Sequence, residues 1–178
     1  MKKQKMKKYV LTLSQTFPVT HPRAGKKTYF KSKLEIAGVV EYVPESDPTP
    51  PNQPQMKLHT IRGNWELWHG RFEEIYAGRA YLSLRIWSGK PYASKQIEIA
   101  RLYKEDGIGI QLLCFAGNKT KKDRELHHPI VRGTTEVDYR QLAMNDGLTV
   151  MDWEAWFSNP DYDLSEPMAI IQLTKFRY

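Results

Sequence analysis

With a single cysteine, Cys114, the 178-residue chain cannot form an intramolecular disulfide, and a reducing, cytoplasmic setting is the expectation. Cys114 lies in the apolar run Ile110–Phe115, where a desolvated thiol is inert. Long hydrophobic runs are also missing. None approaches the roughly 20 residues of a membrane-spanning helix, so no membrane partner is expected. The apolar stretch Tyr9–Leu13 is too short and too rich in threonine for a signal peptide. There is no P-loop, no dinucleotide-binding fingerprint and no Gly-x-Ser-x-Gly elbow, so no cofactor is expected. The histidines do not suggest a metal site: His127 and His128 are adjacent, and His21, His59 and His69 stand at no ligand spacing with cysteine or carboxylate.

What is present is a mildly basic, globular composition. The net charge is +7, and Lys2, Lys3, Lys5, Lys7 and Lys8 supply five of those units. Residues 1–8 therefore read as a basic disordered tail, able to attract phosphate, ahead of a single domain over 9–178. The segment Val43–Gln55 is dense in proline, which removes backbone donors and fixes extended backbone. It reads as an exposed, partly disordered loop insertion at 43–55, dispensable for folding. A second, basic polar loop spans Ala116–Glu125.

Helical spacing of Trp65, Trp68, Phe72 and Ile75 predicts a helix over Asn64–Ala77, with Asn64 as N-cap and Gly78 as the stop. Thr149 with Asp152 three residues on predicts a second helix, Val150–Phe157. Shorter helices are expected at Tyr29–Ala37, behind a Thr28 cap, and near Val137–Met144. Period-two alternation marks strands at Tyr81–Trp87 and Lys95–Tyr103. Further strands are expected at Tyr9–Leu13, Leu58–Arg62, Ile108–Phe115 and Met168–Phe176. Six short strands with flanking helices give an α+β domain built on a small, partly closed barrel.

Two places concentrate residues able to do chemistry. In Lys57–Arg62, a regular strand puts Leu58, Thr60 and Arg62 on one face and Lys57, His59 and Ile61 on the other. Lys57 can meet Thr60 only from the turn before the strand, which Pro54-Gln55 permits. A lysine so held near a cavity loses basicity and can act as base toward the threonine hydroxyl, with a carboxylate to handle the proton. In Trp87–Tyr92, Ser88-Gly89 and Lys90-Pro91 form a tight turn presenting Trp87, Lys90 and Tyr92 near Lys95. Aromatic rings beside cations suit a nucleobase and its phosphate, and Arg85 adds a bidentate phosphate donor.

The runs Ala24–Thr28 and Lys57–Arg62, supported by Leu82–Tyr92, resemble the ASCH domain, a branch of the PUA-like superfamily. The resemblance implies a small PUA-like mixed β-barrel with flanking helices, binding RNA or a modified nucleoside. It also implies an amidohydrolase alternative acting on an N4-acylcytidine-type nucleoside. In that alternative Lys57 and Thr60 match the family's lysine and threonine, Arg62 its following arginine, and Asp146 its acidic residue. Read without the loop insertion, Lys27 would be the family's lysine, and Phe30 would fall where the threonine belongs. Lys27, Arg62, Arg85, Trp87, Lys90, Tyr92 and Lys95 are then the candidate nucleic-acid contacts. RNA or nucleoside recognition is the leading expectation, followed by amide hydrolysis and by a protein-interaction module docking through the Pro-rich loop.

Overall fold

Alternation along Ala80–Trp87 becomes the centre of one sheet. The computed structural model describes residues 6–178. In chain order its elements are β1 (Lys7–Leu13), α1 (Phe30–Ile36), β2 (His59–Arg62), α2 (Trp65–Tyr76), β3 (Ala80–Trp87) and β4 (Gln96–Leu102). A 3-10 turn, Lys104–Asp106, precedes β5 (Gly109–Phe115), β6 (Pro129–Val131), β7 (Thr135–Glu136), α3 (Tyr139–Asn145), α4 (Val150–Phe157) and β8 (Met168–Gln172). Leu82, Leu84 and Ile86 are buried, while Arg85 and Trp87 reach the surface from the opposite face of β3. β3 pairs in parallel with β1 and antiparallel with β4.

The second sheet runs β2-β8-β5-β6-β7. All five residues of β8 are buried, as expected of a strand paired on both edges and covered on both faces. β5 alternates buried and half-buried residues and shows one apolar face, with Gln111 buried on it. The short strands β6 and β7 were not legible: three and two residues leave no period to read. Helix α2 packs against β3 of one sheet and β5 and β8 of the other, with Trp68, Phe72 and Ile75 buried. Full burial of one such side chain contributes about 1.5–3 kcal/mol. No described helix is long and apolar enough to cross a membrane.

Helix ends follow the local chemistry. The Asn64 side chain accepts from Leu67 N at 3.1 Å, and Thr149 Oγ1 accepts from Asp152 N at 3.2 Å, both as N-caps should. Helix α1 departs from expectation. Its N-cap is Tyr29, in a left-handed conformation with φ of 61°, because Thr28 is turned inward and donates its hydroxyl to Ser14 O at 2.8 Å. At the end of α3, Gly147 N donates to Met144 O and Leu148 N to Ala143 O, the paired bonds of a Schellman stop. Gly147 adopts φ of 77°, and a Cβ there would lie 3.1 Å from Lys57 Cβ and 3.3 Å from Lys33 Cδ. Glycine is therefore demanded twice, by backbone conformation and by the close approach of two lysines.

Two expectations about disorder change. β1 begins at Lys7, so Lys7 and Lys8 belong to a strand and not to a tail; Lys7 also pairs with Glu74 at 3.0 Å. The remaining tail residues 1–5 lie outside the described residues. The 43–55 loop contains no strand, as its prolines require, yet it is tied to α1. Ser32 Oγ donates to Asp47 O, Ser46 Oγ to Glu35 Oε1, Lys31 Nζ to Ser46 Oγ and Lys33 Nζ to Gln53 Oε1. Deleting residues 44–54 behind a short Gly/Ser bridge is therefore expected to cost about 2 kcal/mol, and not to be neutral. A thermal midpoint equal to the parent's would show that these latches contribute nothing.

Candidate functional site

Lys57 lies in the irregular stretch just before β2, and this placement creates the site. Its N–H bonds to Lys33 O at 3.3 Å, and the next residue, Leu58, donates to Asn145 O at 2.8 Å. The approach of β2 is thus stitched across the C-terminal end of α3, where helix carbonyls lack internal partners. Lys57 Nζ donates to Asp146 O at 2.6 Å and to Asp146 Oδ1 at 2.5 Å. Both side chains are buried: Lys57 is 0% and Asp146 4% exposed. The Nζ also sits 4.0 Å from the centroid of the Phe30 ring.

Burial governs the protonation of this pair. It pushes Lys57 below the ordinary lysine value and Asp146 above the ordinary aspartate value, each toward its neutral form. Their mutual attraction opposes both changes. Arg62 lowers Lys57 further by like charge. Burial thus favours the neutral amine and carboxyl, while the contact between them favours the ion pair, and the two forms differ by the position of one shared proton.

Thr60 and Arg62 follow on β2. Arg62 Nη1 donates to Thr60 Oγ1 at 2.9 Å and to Ile61 O at 2.9 Å, while Nη2 donates to Thr12 O at 2.9 Å. The arginine so ties β2 to β1. Because Thr60 Oγ1 accepts from a cation, its own proton is left to be given elsewhere. Lys57, Thr60, Arg62 and Asp146 all line one cavity of about 230 Å³. Five aromatic rings, Phe30, Tyr92, Trp156, Phe157 and Tyr162, line much of the rest beside Thr12, Ser14, Ile61 and Leu148, with Trp156 Nε1 donating to Tyr162 OH at 2.9 Å.

Burial separates the two candidate lysines. Lys27 is exposed, pairs with Asp47 of the Pro-rich loop and does not line the cavity. It lines an adjoining groove of about 470 Å³ with Trp87, Pro91 and Phe30, and Phe30 is shared between groove and cavity. Tyr92, 92% exposed with φ of 63°, reaches from the Trp87–Tyr92 turn to the cavity mouth, its ring 5.3 Å from that of Trp87. Three other candidates are elsewhere. Arg85 Nε donates to Ser83 Oγ, with Glu98 3.7 Å from its Nη2, a cross-strand arrangement between β3 and β4. Lys90 and Lys95 are exposed and line neither cavity nor groove.

Several residues of the site were not singled out from the sequence. Phe30 and Trp156 supply ring faces, and Lys33 is a second wholly buried lysine beside Lys57. Lys33 falls at helical spacing with Phe30 and Leu34, both buried, so its place on the inner face of α1 was readable. His59, also buried, sits at 2.9 Å from Tyr178 OH, which accepts from Asn145 Nδ2 at 3.0 Å. Burial, then the Lys57 charge, holds His59 well below its ordinary value, so it is a neutral strut between β2 and α3. A further concavity of about 650 Å³ shares Tyr162 with the cavity and carries Glu66, Asp161, Asp163 and Glu166 on its lining.

No family model, no curated protein and no solved structure matches this chain.

Proposed function

We propose that the chain is an amidohydrolase acting on an N-acylated nucleobase of the N4-acylcytidine type, within a PUA-like frame of ASCH character. The observation that carries this reading is the convergence of Lys57, Thr60 and Asp146 on one small cavity, with the lysine and the carboxyl in direct contact. Aromatic walls suit a planar base, and the groove through Phe30 leaves room for the sugar.

The chemistry follows from the roles the geometry allows. Lys57, neutral when the shared proton rests on Asp146, takes the Thr60 hydroxyl proton as Thr60 Oγ1 attacks the acyl carbonyl. Arg62 offers positive charge beside the oxyanion that forms. Collapse breaks the C–N bond, and Lys57 returns its proton to the departing exocyclic amine. The acyl group is then an ester on Thr60. Water attacks that ester, Lys57 accepts the water proton and hands it back to Thr60 Oγ1, and the carboxylic acid leaves. Asp146 holds the Lys57 amine in place and buffers its proton throughout.

Release of acetate from N4-acetylcytidine is the measurement. The parent chain is expected to turn over, and Lys57→Met, Thr60→Val and Asp146→Asn are each expected to lose about 100-fold or more in kcat/KM. Absence of turnover in the parent sinks the enzyme reading. Recognition of RNA without chemistry is the second reading, favoured by the groove that joins Trp87 and Lys27 to the cavity. In that case affinity for single-stranded RNA falls steeply with salt and is lost in Trp87→Ala.

A further inference from the structure

The end of α3 receives two lysines, and the mechanism above uses only one. Lys57 Nζ occupies Asp146 O, while Lys33 Nζ donates to the next carbonyl, Gly147 O, at 2.6 Å and to Gln53 Oε1 at 3.2 Å. Lys33 comes from α1, is 0% exposed, and has no ion-pair partner among the described residues. Both ammonium groups flank Phe30, at 4.0 Å for Lys57 and 5.8 Å for Lys33. Other charges face Lys33: Asp146 at the end of α3, Asp152 from α4, and Arg23 from the loop after β1. Asp152 is engaged by Arg23 at 2.6 Å, and the Asp146 carboxylate by Lys57 at 2.5 Å, so neither carboxylate is bonded to Lys33.

We propose that Lys33 is a positioning residue of the Lys57–Asp146 pair, holding the Asp146-Gly147 turn and placing a second buried cation beside Lys57. Its catalytic consequence rests on the amide-hydrolysis reading; the coupling of the two lysines does not. Two like charges in a water-poor interior oppose one another, and each disfavours the charged form of its neighbour. Consistent with this, burial first and Lys57 second bring Lys33 down to about 7 from the ordinary 10.5. The link through Gln53 also makes the Pro-rich loop part of the support for this charge.

Lysine side-chain NMR titration of the full chain, of Lys33→Met and of Lys57→Met tests the coupling without substrate. Removing Lys33 should move the Lys57 midpoint to higher pH, and removing Lys57 should raise the Lys33 midpoint, because coupling between two sites is reciprocal. The pH profile of acetyl release tests the consequence. In Lys33→Met, and in Lys33→Gln, which removes charge but keeps a donor, the acid limb should shift upward, with about a tenfold loss on the acid side and a plateau close to the parent's. Support requires the midpoints to move together. A Lys33 that titrates with the surface lysines, or an acid limb unmoved in both variants, overturns the proposal. If the parent shows no turnover while the NMR midpoints move reciprocally, the hydrolase reading fails and the coupled pair stands. If Lys33→Met does not fold, Lys33→Gln and the titration of Lys57→Met decide the matter.

Discussion

Replacing Asp146 by alanine is expected to destabilise the fold by about 3–5 kcal/mol near neutral pH, because it leaves the Lys57 ammonium buried without its carboxylate. The Coulombic gain of a buried pair barely exceeds the cost of removing both ions from water, but the loss of one partner exposes the whole cost of the other. Lys57→Met should cost a comparable amount, since burial drives a stranded Asp146 toward taking up a proton much as it drives a stranded Lys57 toward losing one. The double variant Lys57→Met/Asp146→Ala should recover most of the stability lost in Asp146→Ala, as no charge is then left stranded. Urea denaturation of the three variants measures the non-additivity directly. A loss under about 1 kcal/mol in Asp146→Ala would mean that water reaches the pair.

The second large effect is on the dependence of stability on pH. Lys33 holds its proton to 10.5 when the chain is unfolded but only to about 7 when folded. Between those values the unfolded chain binds more protons, so stability rises with pH across that window. Below about pH 7 both forms are protonated and the penalty is complete; above 10.5 both are neutral and it vanishes. The difference is about 4–5 kcal/mol for this one group. Lys57, lowered in the same direction, adds to the slope. Tyr178 opposes it above about pH 10, because burial raises its phenol when folded and keeps the proton that the unfolded chain releases. His59 acts at the acid end, where the unfolded chain takes up a proton that the buried imidazole refuses. A stability maximum in the alkaline range is therefore expected, and Lys33→Met should flatten the rise between about pH 7 and 10. Denaturation midpoints that are level across that range in the parent would contradict the buried charged lysine.

Much of the frame was legible because periodicity reports burial of one face. The stripe Trp65, Trp68, Phe72 and Ile75 with Asn64 ahead of it gave helix α2 almost to the residue, and Thr149 gave α4. Leu82, Leu84 and Ile86 gave β3. Short pieces failed where a pattern had no room to repeat, as in β6 and β7, and where a side chain found a tertiary partner stronger than its local one. Thr28 is the case in point: its hydroxyl serves Ser14 O across the fold, and a left-handed Tyr29 takes the cap position.

At the site, the sequence by itself determined the cast: a lysine three residues before a threonine, an arginine two residues after it, and an Asn-Asp-Gly turn ending a helix. Spacing also dictated that Lys57 could join Thr60 only from outside the strand, and β2 does begin at His59. What tertiary structure alone decided is which lysine is buried, how deeply and what it touches. Lys27 and Lys57 are equivalent on paper, but one lies on the surface with Asp47 and the other beneath Phe30 with Asp146. The physical reason is that proton affinity depends on the dielectric and charge around a group, and these come from residues distant in sequence. Lys33, Lys57 and Asp146 are carried by three separate segments, and only packing brings them together at the end of α3.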